Sequence, residues 1–486
     1  MSLSGTKFYQ GAILYMKRIL ITIICIAAAA LSVGAKNIKG TVKDTEGKGL
    51  ARVVVSDGLN VVQTDAKGRF VMDTDSESRF VFVSTPSGYK SAVLEGETLY
   101  YKKLGLSKTY DFVVEKKAKD DTNHNLIVIA DPQISDADEF PELEVHAKDI
   151  GAFVKTLDGD DVFGLCLGDI VGWNHALYPE YNKVMSHTGI DFRNVMGNHD
   201  MTNYGDRHEG SMKDYENMYG PAWYSFNVGK VHYVVLNDNF FIGRDWYYIG
   251  YLDKRQLEWL ANDLAYVPKG STVIVSLHIP TTLSESDRKS FGYNDISEIM
   301  ANKQGLYQLL QPYQSLILSG HMHTGNNQLI ADNLMEHNVT GLCGAWWCGP
   351  VCCDGAPVGY KIYEIDGDKI TWQYKPSGLP TFHQFKFYVD AAQHEGYVVA
   401  NVWDYDPQWK VEYYEDGVKV CDMERFKGQD PFAVECYKDP STLKRSWVWA
   451  LPTENLFRAK HSPDAKVLEV RVTDRFGRTF VETFSR

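Results

Sequence analysis

The chain has 486 residues, enough for two or three hydrophobic cores rather than one modest core. Acidic residues outnumber basic ones, 63 to 50, and the formal charge of −13 argues against a nucleic-acid coat or a general binder of anionic membranes, since both need basic fields. An acidic protein can still take a phosphorylated small molecule where metal ions supply the local positive charge.

In chain order, Met16-Lys17-Arg18 precedes an apolar run from Ile19 to Val33, and Val33-Gly34-Ala35 is followed by Lys36. A charged start, an apolar middle and a small-residue cleavage site make a secretory signal peptide, with residues 1–15 as an extension before Met16. The run is short and Ala-rich for a membrane span, so a mature chain without one, in the periplasm or outside the cell, is expected. Cys25 lies inside the leader, and its loss takes eight cysteines to seven, an odd number that leaves at least one thiol unpaired within the chain. In an oxidising compartment Cys343, Cys348, Cys352 and Cys353 are candidates for a disulfide, as are Cys421 and Cys436. The first cluster lacks the paired Cys-x-x-Cys units of a zinc knuckle.

Residues 36–117 read as a small all-β sandwich. Strands are expected at Lys39–Leu50 with its turn, at Arg52–Gly58, at Val61–Thr64 and at Arg69–Met72, with frequent Gly and Asp turns and no helical period. The pattern Gly-x-Val-x-Asp-x-x-Gly, then Thr-Asp-x-x-Gly-x-Phe, resembles the transthyretin-type, carboxypeptidase-regulatory-like modules of exported bacterial proteins. That resemblance implies an accessory role. A charged linker, Lys116-Lys-Ala-Lys-Asp-Asp-Thr122, follows.

Residues 118–377 alternate strand and helix, which predicts a sheet covered by helices with ligands gathering at strand ends. Helices are expected at Pro141–Leu157, Tyr178–His187 and Asp253–Tyr266, the last with Leu257, Leu260 and Leu264 on one face. Residues 378–486 return to strands and form a second β domain. Expected strands are Phe385–Val389, Tyr397–Val402, Trp409–Tyr414, Val418–Cys421 and Val467–Val472.

Five short apolar strands of the central region each end in polar residues. Asn125-Leu-Ile-Val-Ile-Ala130 leads to Asp131-Pro-Gln133, and Val162-Phe-Gly-Leu-Cys-Leu-Gly-Asp-Ile-Val171 contains Gly168-Asp169. Gly197-Asn-His-Asp200, His278 and Gly320-His-Met-His323 follow in the same manner. Buried carboxylates are rare unless paired or bound to metal, so the recurrence marks a site. His278 or Asp169 alone would read as a satisfied polar residue at a strand end; the five blocks in order do not. His175, His187, His208 and His337 match no block and read as surface or supporting groups. Asp136-Ala-Asp-Glu139 reads as a solvated helix start.

The five blocks resemble the calcineurin-like metallophosphoesterase superfamily, whose pattern is Asp-x-His, Gly-Asp, Gly-Asn-His-Asp/Glu, His, Gly-His-x-His. With the flanking β modules the chain resembles an exported bacterial subgroup that carries its own N- and C-terminal metallophosphatase-associated domains. The resemblance implies an α/β core with four αββα layers, and two divalent ions roughly 3.5–4 Å apart. Asp169 would bridge them, Asp131, Gln133 and His323 would complete the first site, and Asn198, His278 and His321 the second. A hydroxide between the ions would attack phosphorus in line with the leaving oxygen. His199 would lie by the substrate and protonate the leaving group or stabilise the transition state, with Asp200 either orienting it or holding a turn.

Two departures from that pattern matter. Gln133 stands where His is common; its carbonyl oxygen is a neutral, harder donor than imidazole and favours Mn or Mg over Zn at that site, with Fe also compatible with the centre. Ile170-Val-Gly-Trp173 lacks the Arg that phosphoprotein phosphatases carry there, which weakens a protein-phosphatase reading. Trp346 and Trp347, after the last His block, are candidates to stack on a substrate's base, sugar or aromatic leaving group, against the alternative of packing between domains. The expected activity is hydrolysis of a small-molecule phosphate monoester or diester, with no nucleic-acid polymer as partner. A nuclease would need a basic groove. The rival reading is an exported protein with a degenerate site whose β domains bind a glycan or protein partner, and Gln133 is its best support.

Overall fold

The computed structural model describes residues 36–486 apart from 92, 95, 96, 99, 158–160, 203, 204, 244–246 and 285–295. The leader read in residues 1–35 lies outside the described residues. Among those described, no helix is long and apolar enough to cross a membrane.

The run 126–130 has no exposed surface because Asn123–Ile129 lies in the middle of a five-stranded sheet. The strand order is Phe192–Asn194, Asp161–Cys166, Asn123–Ile129, Gly359–Asp366, Lys369–Pro376. The first three run parallel, with Val128 opposite Leu165 and Leu165 opposite Arg193, so they end at one edge. A second sheet has the order Tyr224–Val228, Val231–Val235, Thr272–Ser276, Gln314–Ser319, Leu334–Asn338, Asn326–Ala331. Its four inner strands are parallel too, and they end at Val235, Ser276, Ser319 and Asn338. Strands buried on both faces need continuous apolar sequence, which is why Val273-Ile-Val and Leu316-Ile-Leu carry no alternation.

The two sheets share one core. Phe163 of the first meets Tyr233 and Phe226 of the second edge-on, at 5.3 and 5.7 Å between centroids, and His124 Nε2 lies 2.6 Å from the Tyr233 hydroxyl. The helices Phe140–Val154 and Tyr178–Met185 pack against each other, as do Lys254–Leu264 and Lys303–Leu310, and their apolar sides join the same core. Each Leu, Ile or Val placed there stabilises the fold by about 1.5–3 kcal/mol relative to exposure. Three of these helices lie where the sequence places them, with ends shifted by a few residues. Asp253 caps the third by accepting from Gln256 N at 2.7 Å.

Both ends are β sandwiches. In the N-terminal one, Arg69–Asp73, Asn37–Asp44, Phe112–Lys116 and Tyr89–Ser91 face Val61–Gln63, Val54–Ser56, Phe80–Val83 and Tyr101–Lys103 around Val42, Val55, Phe70 and Phe112. The C-terminal one pairs Phe385–Val389, Tyr397–Val402, Pro452–Lys460 and Glu424–Gln429 with Val418–Asp422, Lys410–Glu415, Val467–Thr473 and Thr479–Ser485. It adds the helix Pro431–Tyr437, which the sequence reading omits.

Two expectations are corrected. Cys166, Cys343, Cys348, Cys352, Cys353, Cys421 and Cys436 are all free thiols, so neither disulfide forms. Cys421 sits on a sheet strand and Cys436 on the helix beside the loop that holds Cys348 and Cys353. The run at Asp136 is not simply solvated: Glu139 is buried, and it binds Lys444 and Arg445 of the C-terminal domain at 2.8 Å each.

Candidate metal centre

The parallel strand ends of both sheets meet at one place, stitched by backbone bonds. Gly320 N donates to His278 O at 2.9 Å, and Leu342 N to Ala130 O at 2.7 Å. The turns leaving the strands are strained. Asp131, Gln133, Asp169, His321 and His323 have φ of 48°, 43°, 51°, 73° and 55°. Such left-handed backbone costs non-glycine residues roughly 1–3 kcal/mol each and gathers where side chains must be aimed. The preceding glycines allow close approach, and one also allows the turn. Gly168 has φ +93° and a Cβ there would meet His278 Nδ1 at 2.6 Å, while a Cβ on Gly197 would meet Asp169 N at 2.1 Å and one on Gly320 would meet Asp131 Oδ2 at 2.7 Å. The last two are needed for close approach rather than for the turn itself.

Asp131, Gln133, Asp169, Asn198, His278, His321 and His323 are thereby brought together, with Asp169 and Asp131 both reaching His278, at 3.4 and 4.0 Å. His323 Nε2 lies 3.5 Å from Asp131 Oδ1, and Gln133 Nε2 lies 3.3 Å from Asp169 Oδ2. His278 Nε2 lies 3.0 Å from Asn198 Oδ1, and one donor each of Asp169, His278 and His321 lie within 4.8 Å of one another. The remaining ring nitrogens are occupied in ways that fix each imidazole. His278 Nδ1 meets Leu167 O at 2.7 Å, His321 Nε2 meets Ser297 O at 2.9 Å, and His323 Nδ1 meets Cys343 Sγ at 3.4 Å.

Electrostatics mark the same spot as a place for cations. Burial opposes a charge on His278, but the carboxylates of Asp169 and Asp131 outweigh it and lift the ring to about 10. Burial works the same way on Asp169, and His278 and His199 overcome it and hold the carboxyl well below its usual range. His321, buried and beside charged His278, is pushed down to about 4. Gln133 Oε1 is buried with no hydrogen-bond partner, which is costly for an amide oxygen unless something electropositive meets it. Two carboxylates, three imidazoles and two amides, with one acceptor orphaned, fit a pair of divalent ions.

His199 sits beside these ligands without joining them. Its ring Nε2 is 3.9 Å from Asp169 Oδ2, its backbone N–H donates to Asp169 Oδ1 at 2.8 Å, and its ring packs on Trp173 at 4.2 Å between centroids. Burial, opposed by Asp169, lowers its pKa. Asp200 does not touch the His199 ring. Its carboxylate accepts from Gly197 N at 2.8 Å, from Ile170 N at 3.2 Å and from the Tyr178 hydroxyl at 3.0 Å. It holds the turn, and burial followed by Asp169 raises it to about 6. Trp347 is likewise not at a substrate surface: it is buried, with Nε1 donating to Pro132 O at 3.1 Å. Trp346 is half-buried and stacks on His323 at 4.2 Å and 26°.

Of the two alternatives read for the unmatched histidines, the supporting one holds: His175 bridges the His199 carbonyl and Asp214, each at 3.0 Å, and His208 and His337 are buried. Two other supporting residues escape the sequence reading. Asp238 accepts from His278 N at 3.1 Å, and Asn338 donates to Gly320 O. Asp238 and Asn338 lie at or just past the ends of parallel strands, the same signal that finds the ligands. His175 has no such signal.

Family models match the chain in three consecutive regions. Residues 124–325 match calcineurin-like phosphoesterase, residues 36–117 match the N terminal of calcineurin-like phosphoesterase, and residues 336–480 match the C terminal of calcineurin-like phosphoesterase. The chain belongs to the calcineurin-like phosphoesterase family. It is a metal-dependent hydrolase of phosphoric esters, in a family that uses a binuclear metal centre. No curated protein matches the sequence. Among solved structures it is similar to a dimetal phosphatase from Danio rerio, with 13% identity over 52% of this chain and 96% of that one, at a TM-score of 0.37. It is also similar to a purple acid phosphatase from yellow lupin (Lupinus luteus) seeds, with 14% identity over 67% of each chain, at a TM-score of 0.39.

Proposed function

We propose that this calcineurin-like phosphoesterase is an exported enzyme that hydrolyses small-molecule phosphate esters with two divalent ions. The observation that carries the reading is the position of Asp169, whose carboxylate meets Gln133 with one oxygen and His278 with the other. Asp131, Gln133, Asp169 and His323 would hold one ion, and Asp169, Asn198, His278 and His321 the other. The amide donors favour Mn, with Mg, Fe or Zn as alternatives. When bound, the ions neutralise phosphate charge and supply a water of lowered pKa as nucleophile.

The chain's own residues do the rest. His199 stands outside both donor sets with its backbone clamped by Asp169 and His175 and its ring by Trp173, so its position does not depend on the substrate. A neutral ring, as burial favours, still donates one N–H to charge developing on the leaving oxygen. Asp200 keeps the Gly197-Asn198-His199 turn closed, which fixes ligand and acid together. Export rests on the leader pattern in residues 16–36 and the absence of a basic surface requirement rests on the charge of −13.

The test is hydrolysis of a chromogenic phosphodiester and its monoester by metal-stripped protein titrated with Mn, Mg and Zn. Metal-dependent turnover, lost in Asn198→Ala, is expected, and the preferred ester sets the class. No turnover with any metal would favour the binding-protein reading, with Gln133 as the first cause to examine.

A further inference from the structure

The C-terminal domain reaches the metal centre through residues 438–451, which join the helix Pro431–Tyr437 to the strand Pro452–Lys460. This segment is tied to the catalytic domain at several points. Arg445 Nη2 donates to Glu139 Oε1 at 2.8 Å, and Glu139 in turn accepts from Ser135 N, two residues past Gln133. Arg445 Nη1 donates to Trp346 O at 3.2 Å, Leu451 N donates to Cys353 O at 2.8 Å, and the Tyr437 hydroxyl donates to Val351 O. Between these ties the segment presents Trp447, which meets the Trp346 ring edge-on at 4.7 Å and 76°. Trp346 in turn lies flat on His323, whose edge nitrogens face Asp131 and Cys343.

Trp447 keeps 50% of its surface exposed, and Trp449 beside it 57%. Trp447 packs one edge on Trp346 and leaves the rest of its ring open on a firmly tied segment, so aromatic surface is available to a ligand beside His323. Trp447 is a better platform than Trp347, because Trp347 is buried against Pro132. We propose that Trp447 and Trp346 form a leaving-group subsite, built jointly by the C-terminal and catalytic domains, that selects phosphate esters of aromatic-ring alcohols. This rests on the phosphoester hydrolysis proposed above and adds the class of alcohol.

The experiment compares phenyl and ethyl phosphate esters, in whichever ester form is turned over, with metal-loaded full-length chain and its Trp447→Ala and Trp447→Phe variants. The phenyl-to-ethyl ratio of kcat/KM should fall about tenfold in Trp447→Ala, through KM on the phenyl ester, and recover in Trp447→Phe. An unchanged ratio, or an equal loss on both esters, overturns the proposal. Calorimetric binding of phenylphosphonate and ethylphosphonate is read in parallel and does not need turnover. Preference for the phenyl compound that disappears in Trp447→Ala supports the subsite even if hydrolysis fails. Equal binding of the two by the wild-type chain overturns it, whatever the activity.

Discussion

Replacing Trp347 with Ala separates the two uses of the Trp346-Trp347 pair. The indole fills space beneath the Asp131-Pro132-Gln133 turn and lies 6.1 Å from the His146 ring on the helix Phe140–Val154. Truncating a buried Trp costs about 3–5 kcal/mol. Leaving the Pro132 carbonyl without its donor adds about 1 kcal/mol. A catalytic domain of this size loses about 2–4 °C per kcal/mol, so the midpoint of its unfolding should fall by roughly 8–24 °C. Because Pro132 lies between Asp131 and Gln133, both proposed as ligands, metal affinity should drop about 10–100-fold as well, as when a ligand's support is removed. Scanning calorimetry and a metal titration read both effects, and Trp347→Phe should restore most of the midpoint by refilling the space. A shift under about 2 °C, with loss of activity confined to large esters, would refute the packing role and return Trp347 to the substrate surface.

Gln133→His should tighten metal at the first site by about tenfold and move its preference towards Zn, because imidazole is the softer donor. Unchanged binding by calorimetry would exclude Gln133 as a ligand. Glu336, paired with the strand that leads to His321, offers a pH test of stability. Burial, only partly offset by donors from Thr281 and Ser319, raises its pKa to about 7. The folded state therefore keeps the proton where the unfolded chain loses it, and stability should decline as pH rises from about 4.3 to 7. Glu336→Gln should flatten that decline in urea titrations; an identical slope in the variant would remove Glu336 as its source.

Most of the catalytic core was legible in the sequence. Runs such as Asn125–Ala130 and Thr272–Leu277 have no alternation, so they had to be strands buried on both faces, and polar residues at their ends had no reason to be there except function. That local logic brought out Asp131, Asp169, Asn198, His278, His321 and His323, and the same order of blocks carried the family. Properties of convergence needed the folded chain. Asp200 and Trp347 are polar and aromatic in the right stretch, yet their side chains turn to Gly197 and Pro132, because a residue's direction off a turn is set by what packs around it. His175 and Cys343 support ligands from positions without any spacing signal. The C-terminal domain is the clearest case. Arg445 and Trp447 lie more than a hundred residues beyond His323, and only the docking of that domain against Glu139 and Trp346 puts them beside the metal ligands.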